Sequence, residues 1–250
     1  MSQYQLFART VFALGMVGLG VLALVYGHVG TAWYSIPEWM PWPKAVADAS
    51  GVILLGCGAG LLFKRTARPS VRILLPYLVI WLLLRIPSVV TQPLVEGNWQ
   101  NTGELAMIAA GGCVLFARLA EVGDGKKGIR IARMLFIFAM PCFGLSHFVY
   151  LDNTVRFVPP WLPFRTGWAY LTGSAFIAAG LGVLFPIYAR LAATLVAAML
   201  SVFTLLVWIP EIRATPTSLP MWTEFLISWS ITAGAWVVAE SIPPVRRLTA

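Results

Sequence analysis

The stretch GLSHFVYLDNTVRFVPPWLPFRTGWAYLTGSAFIAAGLGVL, residues 144 to 184, decides how this chain is read. An apolar run closes on Ser146-His147-Phe148, a connector rich in proline and tryptophan follows at Val158-Pro159-Pro160-Trp161-Leu162-Pro163, and a second apolar run opens on Leu171-Thr172-Gly173. Two apolar helices joined by a corner fit that pattern. The corner has an earlier echo, because Pro37-x-Trp39-x-Pro41 stands 122 residues before Pro159-x-Trp161-x-Pro163. Ser50-Gly51 precedes Thr172-Gly173, and Gly58-x-Gly60 precedes Gly180-x-Gly182, by the same interval, while Ile86-Pro87 recurs as Ile209-Pro210 at 123. Small gaps then bring Glu104 to Glu224 and His28 to His147.

A colinear series across four helices predicts an internal duplication. An even helix number returns the chain to the side it left, so the two units are expected to be parallel repeats. The first covers 1–120 and the second 131–250, with 121–130 as a linker on the cytoplasmic side whose centre, Gly123-Asp124-Gly125-Lys126-Lys127-Gly128, has a flexible composition.

With 250 residues, 59% hydrophobic content, 11% charged residues and a mean hydropathy of +0.79, the chain is too apolar for a soluble domain of its size. Its apolar blocks run to about 17 to 22 residues, enough to cross a hydrocarbon core as a helix. In lipid each segment must satisfy its own backbone hydrogen bonds, which favours helices. Eight spans are expected, near 10–27, 45–63, 73–91, 102–118, 131–150, 167–185, 188–208 and 222–240. The fold class is therefore all-α, a polytopic membrane protein of eight transmembrane helices in two parallel-repeat four-helix bundles. The first segment carries no small-residue cleavage site and is read as a retained helix.

The net charge of +8 does not point to nucleic acid, because the basic residues sit in the loops between apolar runs. Thirteen Lys and Arg residues fall on the side holding both termini, against Lys44, Arg156, Arg165 and Arg213 opposite. That asymmetry is expected to put both termini in the cytoplasm, and the expected location is the inner membrane of a prokaryote. Cys57, Cys113 and Cys142 lie inside apolar runs without C-x-x-C spacing and read as small packing residues.

There is no H-E-x-x-H and no phosphate loop, and Gly144-x-Ser146-x-Phe148 departs from a nucleophile elbow at its last position. The ionisable residues His28, Asp48, Arg85, Glu104, His147 and Glu224 gather near the outer membrane face, where they are candidates for ligand binding or proton relay. Arg85 stands out because Leu82-Leu83-Leu84 precede it and Ile86-Pro87 follow. Each has a structural reading too. Glu104 and Glu224 suit a first helical turn, Arg85 can pair with Glu104 or snorkel, and a histidine at the interface needs no ligand. Trp39, Trp99, Trp161 and Trp222 are candidates for an aromatic lining or an interfacial belt. Haem between two histidines would need matching depth on facing helices, and no metal-ligand spacing is present.

Gly144-x-x-His147-Phe148, Val158-Pro159-x-Trp161-Leu162-Pro163, Trp168-Ala169-Tyr170-Leu171-Thr172-Gly173 and Ala178-Ala179-Gly180-Leu181-Gly182 together resemble the DoxX-like family of small membrane proteins. The resemblance implies a four-helix membrane unit, here in tandem. It also implies association with quinone-linked oxidation of sulfur compounds or with oxidative-stress complexes, and in distant relatives with assembly of membrane receptors. No catalytic motif carries over. The expected function is an outer-facing cavity for a lipid- or quinone-like molecule in an accessory subunit of a membrane redox system. The alternative is a non-catalytic assembly or lipid-binding protein. Membrane lipid and a membrane redox partner or other membrane protein are the expected partners, and quinone is the one cofactor the resemblance suggests.

Overall fold

The computed structural model of the chain describes residues 2–27, 41–186 and 188–243. Among the described residues every regular element is helical. Helix α1, Gln3–Tyr26, starts well before its apolar run because Ser2 and Gln5 cap each other. The Gln5 N–H donates to Ser2 Oγ at 3.2 Å and the Ser2 N–H donates to Gln5 Oε1 at 3.0 Å. The helix stops at Gly27, whose φ of 65° a glycine adopts freely.

Helices α2 (Pro43–Leu62), α3 (Lys64–Leu84), the short α4 (Ile86–Thr91) and α5 (Glu96–Leu119) complete the first half. The second half holds α6 (Lys126–Val149), the short α7 (Leu151–Phe157), α8 (Arg165–Leu184), α9 (Ala189–Phe203), α10 (Ile209–Ala214) and α11 (Leu219–Ser241). A π-helical turn, Thr204–Trp208, joins α9 to α10. Hydropathy places helix starts too late, since backbone bonding continues into polar residues. The linker stretch 121–130 shows this, being helical from Lys126 onward behind Gly125 at φ 71°.

In the first half α1 packs on α2, α2 on α3 and α3 on α5; in the second α6 packs on α8, α8 on α9 and α9 on α11. The halves meet through α5 against α6, α1 against α11, and α5 against α11 at the centre. Those three pairings recur in both halves, while α6 also touches α11 and α7 touches α8 in the second. Close crossings agree: a Cβ on Gly20 would lie 2.8 Å from the Gly51 carbonyl oxygen, and one on Gly144 would lie 2.7 Å from the Gly173 carbonyl oxygen. Trp42 and Phe164, each directly after the last proline of a Pro-x-Trp-x-Pro corner, have φ of 51° and 55°.

These registers correct two of the gap-based matches. Helices α5 and α11 begin at Glu96 and Leu219 and keep the interval of 123 at Trp99 and Trp222, whose Nε1–H groups donate to the Pro93 and Pro216 carbonyls at 2.9 Å. The interval places Ile227 opposite Glu104 and Asn101 opposite Glu224. Likewise His147, one turn past Gly144, matches Ala23 and not His28, which lies outside the described residues.

Among the described residues seven helices are long and apolar enough to cross a membrane, counting Lys64–Thr91 and Ala189–Ala214 as continuous rods. Helix α11, the eighth expected span, has 23 residues but is not among those seven. It sits in the middle of the bundle against α1, α5, α6 and α9, so its Trp, Ser and Thr side chains find protein partners. Peripheral helices turn apolar stripes outward instead, as Ile73, Ile80 and Leu83 do on α3 and Leu191, Leu195 and Val202 on α9.

Candidate functional site

The polar candidates collect at the end of the bundle away from the termini. There α3 breaks because Pro87 has no N–H to continue the ladder. Arg85 occupies the break and is 5% exposed. Its electrostatic partner is Glu104 on α5, which is 8% exposed and accepts a bond from Gln100 Nε2 at 3.3 Å. Glu224 on α11 and Glu96 at the start of α5 also lie within electrostatic reach of Glu104. Arg85, Glu96 and Glu224 thus all act on the buried Glu104, a concentration of ionisable groups at one end of the bundle.

Glu96 is not among the candidates that the sequence pattern singles out. It is 6% exposed, and neither carboxylate oxygen meets a hydrogen-bond donor among the described residues. Its place at the head of a helix, three residues before Trp99, is the signal that could have found it.

Beside this cluster a cavity of about 460 Å³ opens between α2 and α3. Its walls are almost wholly apolar, and Trp42, Ile53, Tyr77, Trp81 and Leu84 line it with Ser50. Leu84 on its wall directly precedes Arg85 in the chain, while the wall itself carries no charged residue. An almost wholly apolar space of this kind suits an apolar chain or ring.

Several candidates lie elsewhere. Asp48 makes an exposed pair with Lys44 at 2.9 Å, one helical turn apart, and does not join Arg85. His147 donates from Nδ1 to the Phe143 carbonyl at 2.7 Å and packs between the Phe176 and Phe203 rings in the second half. It is isolated from the carboxylates, and among the described residues no group of three or more His, Cys, Asp or Glu could hold a metal ion. Trp161 is 68% exposed; Trp99 and Trp222 are held by their corner prolines; Trp39 lies outside the described residues. Arg165 is a helix cap, its guanidinium donating to the Val155, Arg156 and Val158 carbonyls at the end of α7.

Where the first half carries charge, the second carries hydroxyls. At the π turn Thr204 Oγ1 lies 2.8 Å from Ser228 Oγ and 3.0 Å from Thr232 Oγ1, and Trp236 Nε1 donates to Ser201 Oγ at 3.0 Å. At the interval of 123 their first-half counterparts are Trp81, Leu105, Ala109, Cys113 and Leu78. At this interval the matched interiors differ in polarity.

Residues 136–207 match a family model described as a domain of unknown function (DUF8561). That segment runs from within α6 through α9 and covers well under half of the chain. No curated protein and no solved structure matches the chain.

Proposed function

We propose that the chain is a polytopic protein of a prokaryotic cytoplasmic membrane, built as two parallel four-helix repeats. In this reading its α2–α3 cavity holds the apolar part of a lipid- or quinone-like molecule whose polar head meets the Arg85–Glu104 cluster. The observation that carries this reading is the aromatic-lined cavity of about 460 Å³, whose wall includes Leu84, the residue before the buried Arg85. Outward apolar stripes and the thirteen-to-four basic asymmetry support the membrane setting, and paired crossings at Gly20–Gly51 and Gly144–Gly173 support the repeat. The role as an accessory redox subunit rests on the DoxX-like resemblance of residues 144–182. The family match itself is to DUF8561.

Solvent extraction and mass spectrometry of the purified full chain test the reading. An isoprenoid quinone or a lipid is expected in near-stoichiometric amount, with less retained by Trp81→Ala. Protein carrying no apolar small molecule, or retention unchanged by Trp81→Ala, overturns it. A second reading, a non-catalytic assembly protein, is favoured by Gly56 on α2, where an added Cβ would meet nothing within 4 Å and another membrane helix could approach closely. Loss of a co-purifying membrane protein in Gly56→Leu, with the bound small molecule retained, selects it.

A further inference from the structure

Glu96 opens α5 at the end of the bundle away from the termini, and it takes no part in lining the α2–α3 cavity. The residue is 6% exposed, both carboxylate oxygens are buried, and neither meets a hydrogen-bond donor among the described residues. A carboxylate taken out of water is ordinarily met by a cation or by N–H and O–H donors, because losing hydration without replacement is costly. The donors around Glu96 are directed elsewhere. On α6 the Cys142 thiol, within electrostatic reach of Glu96, donates to the Phe138 carbonyl at 3.3 Å. The Gly97 N–H donates to the Tyr150 hydroxyl at 3.2 Å, and Gln100 Nε2 donates to Glu104 at 3.3 Å. Glu104, two turns along the same helix, is a like charge, and it is on Glu104 that Arg85 of α3 and Glu224 of α11 act. The positive end of α5 favours an anion at its first residue, but it returns less than the hydration that burial removes. A metal ion would need several ligands, and among the described residues no group of three or more His, Cys, Asp or Glu could hold one. A proton needs a single oxygen.

We propose that Glu96 is a proton-binding site, its carboxyl held within the bundle as the neutral acid. A proton from water forms one O–H bond on the carboxylate, which removes the buried charge and leaves a group far easier to desolvate. Glu96, Gln100 and Glu104 succeed one another at intervals of four, so they share one face of α5 that runs inward from the helix end. The bound proton therefore sits at the first step of a polar row whose inner step is Glu104, the electrostatic partner of Arg85. The inference rests on this carboxyl alone and holds whatever occupies the α2–α3 cavity.

Infrared spectroscopy of the detergent-solubilised full chain tests the site, since a carboxylic acid and a carboxylate absorb at well-separated C=O frequencies. At about pH 6 exposed carboxyls are ionised. A carboxylic acid band that shifts in heavy water is expected in the wild-type spectrum at that pH, and Glu96→Gln should remove a distinct component of it. Glutamine matches the neutral acid in shape, so this variant is expected to keep the wild-type helix content. Glu104→Gln should leave the component in place. A wild-type spectrum with no carboxylic acid band overturns the site without recourse to any variant, and so does a Glu96→Gln spectrum identical to that of the wild type. Loss of the band in Glu104→Gln alone overturns it too and assigns the proton to Glu104. Loss of the Glu96 component on adding sodium at constant pH overturns the proton and assigns the carboxyl to a metal cation. Bound lipid or quinone is measured in the same samples, so failure of this site is distinguished from failure of the cavity's ligand.

Discussion

Gly111 and Gly234, 123 residues apart, meet where α5 crosses α11: a Cβ on Gly111 would lie 2.9 Å from Gly234 Cα, and one on Gly234 would lie 2.6 Å from the Met107 carbonyl oxygen. Backbone atoms cannot yield to an added methyl as a flexible side chain can. Gly234→Ala is therefore expected to cost about 1–3 kcal/mol of stability. Gly56→Ala, with open space around it, should be neutral or slightly stabilising. Thermal unfolding in detergent compares the two, and equal midpoints would remove the crossing from the account of how the halves are held together.

Removing Arg85 strips the carboxylate cluster of its guanidinium. Arg85→Met is expected to destabilise the bundle by about 3–5 kcal/mol, the usual cost of leaving a buried charge uncompensated. Adding Glu104→Gln should recover a good part of that loss. A double-mutant cycle reads the coupling, and strictly additive effects would mean that the two side chains do not interact.

Two ion pairs of different burial should separate cleanly. The side chains of Arg118 and Glu240 are 25% and 15% exposed, whereas those of Lys44 and Asp48 are 79% and 43% exposed. Glu240→Gln is expected to lower stability by about 1–3 kcal/mol, and Asp48→Asn by less than about 0.5 kcal/mol. High salt should not alter the first effect. Its disappearance in high salt would place the pair in water.

Thr204→Val keeps the shape of the π turn residue and removes the hydroxyl shared with Ser228 and Thr232. A loss of about 0.6–2 kcal/mol is expected, modest because hydroxyls in a helical bundle find alternative partners. Trp81→Val, at the matching place in the first half, removes ring surface from both the α2–α3 cavity and the core, and should lower ligand retention together with stability, the latter by roughly 3 kcal/mol. Opposite outcomes in the two variants would contradict the different interiors of the two halves.

Much of the fold could be read from local features. Apolar run lengths located the long helices, and the Pro/Trp connector at 158–163 marked a turn, for a reason the structure makes explicit: Trp168 Nε1 reaches back to the Pro163 carbonyl at 3.1 Å. Where legibility failed, the cause was distance along the chain. Gaps introduced to align like with like paired His28 with His147 and Glu104 with Glu224. Helix crossings at Gly20, Gly144, Gly111 and Gly234 hold a nearly constant interval and pair neither.

Composition, periodicity and proline placement are properties of neighbouring residues, and by themselves they determined that this chain forms long apolar helices. The tertiary structure alone decided which polar groups share a site. It joined Arg85 and Glu104 to Glu96, and it sent His147 into an aromatic pocket and Asp48 to the surface. Depth and rotation about each helix axis settle those outcomes, because a shift of one residue turns a side chain by about 100°. Packing of small residues at the crossings sets that rotation, and no local pattern encodes it.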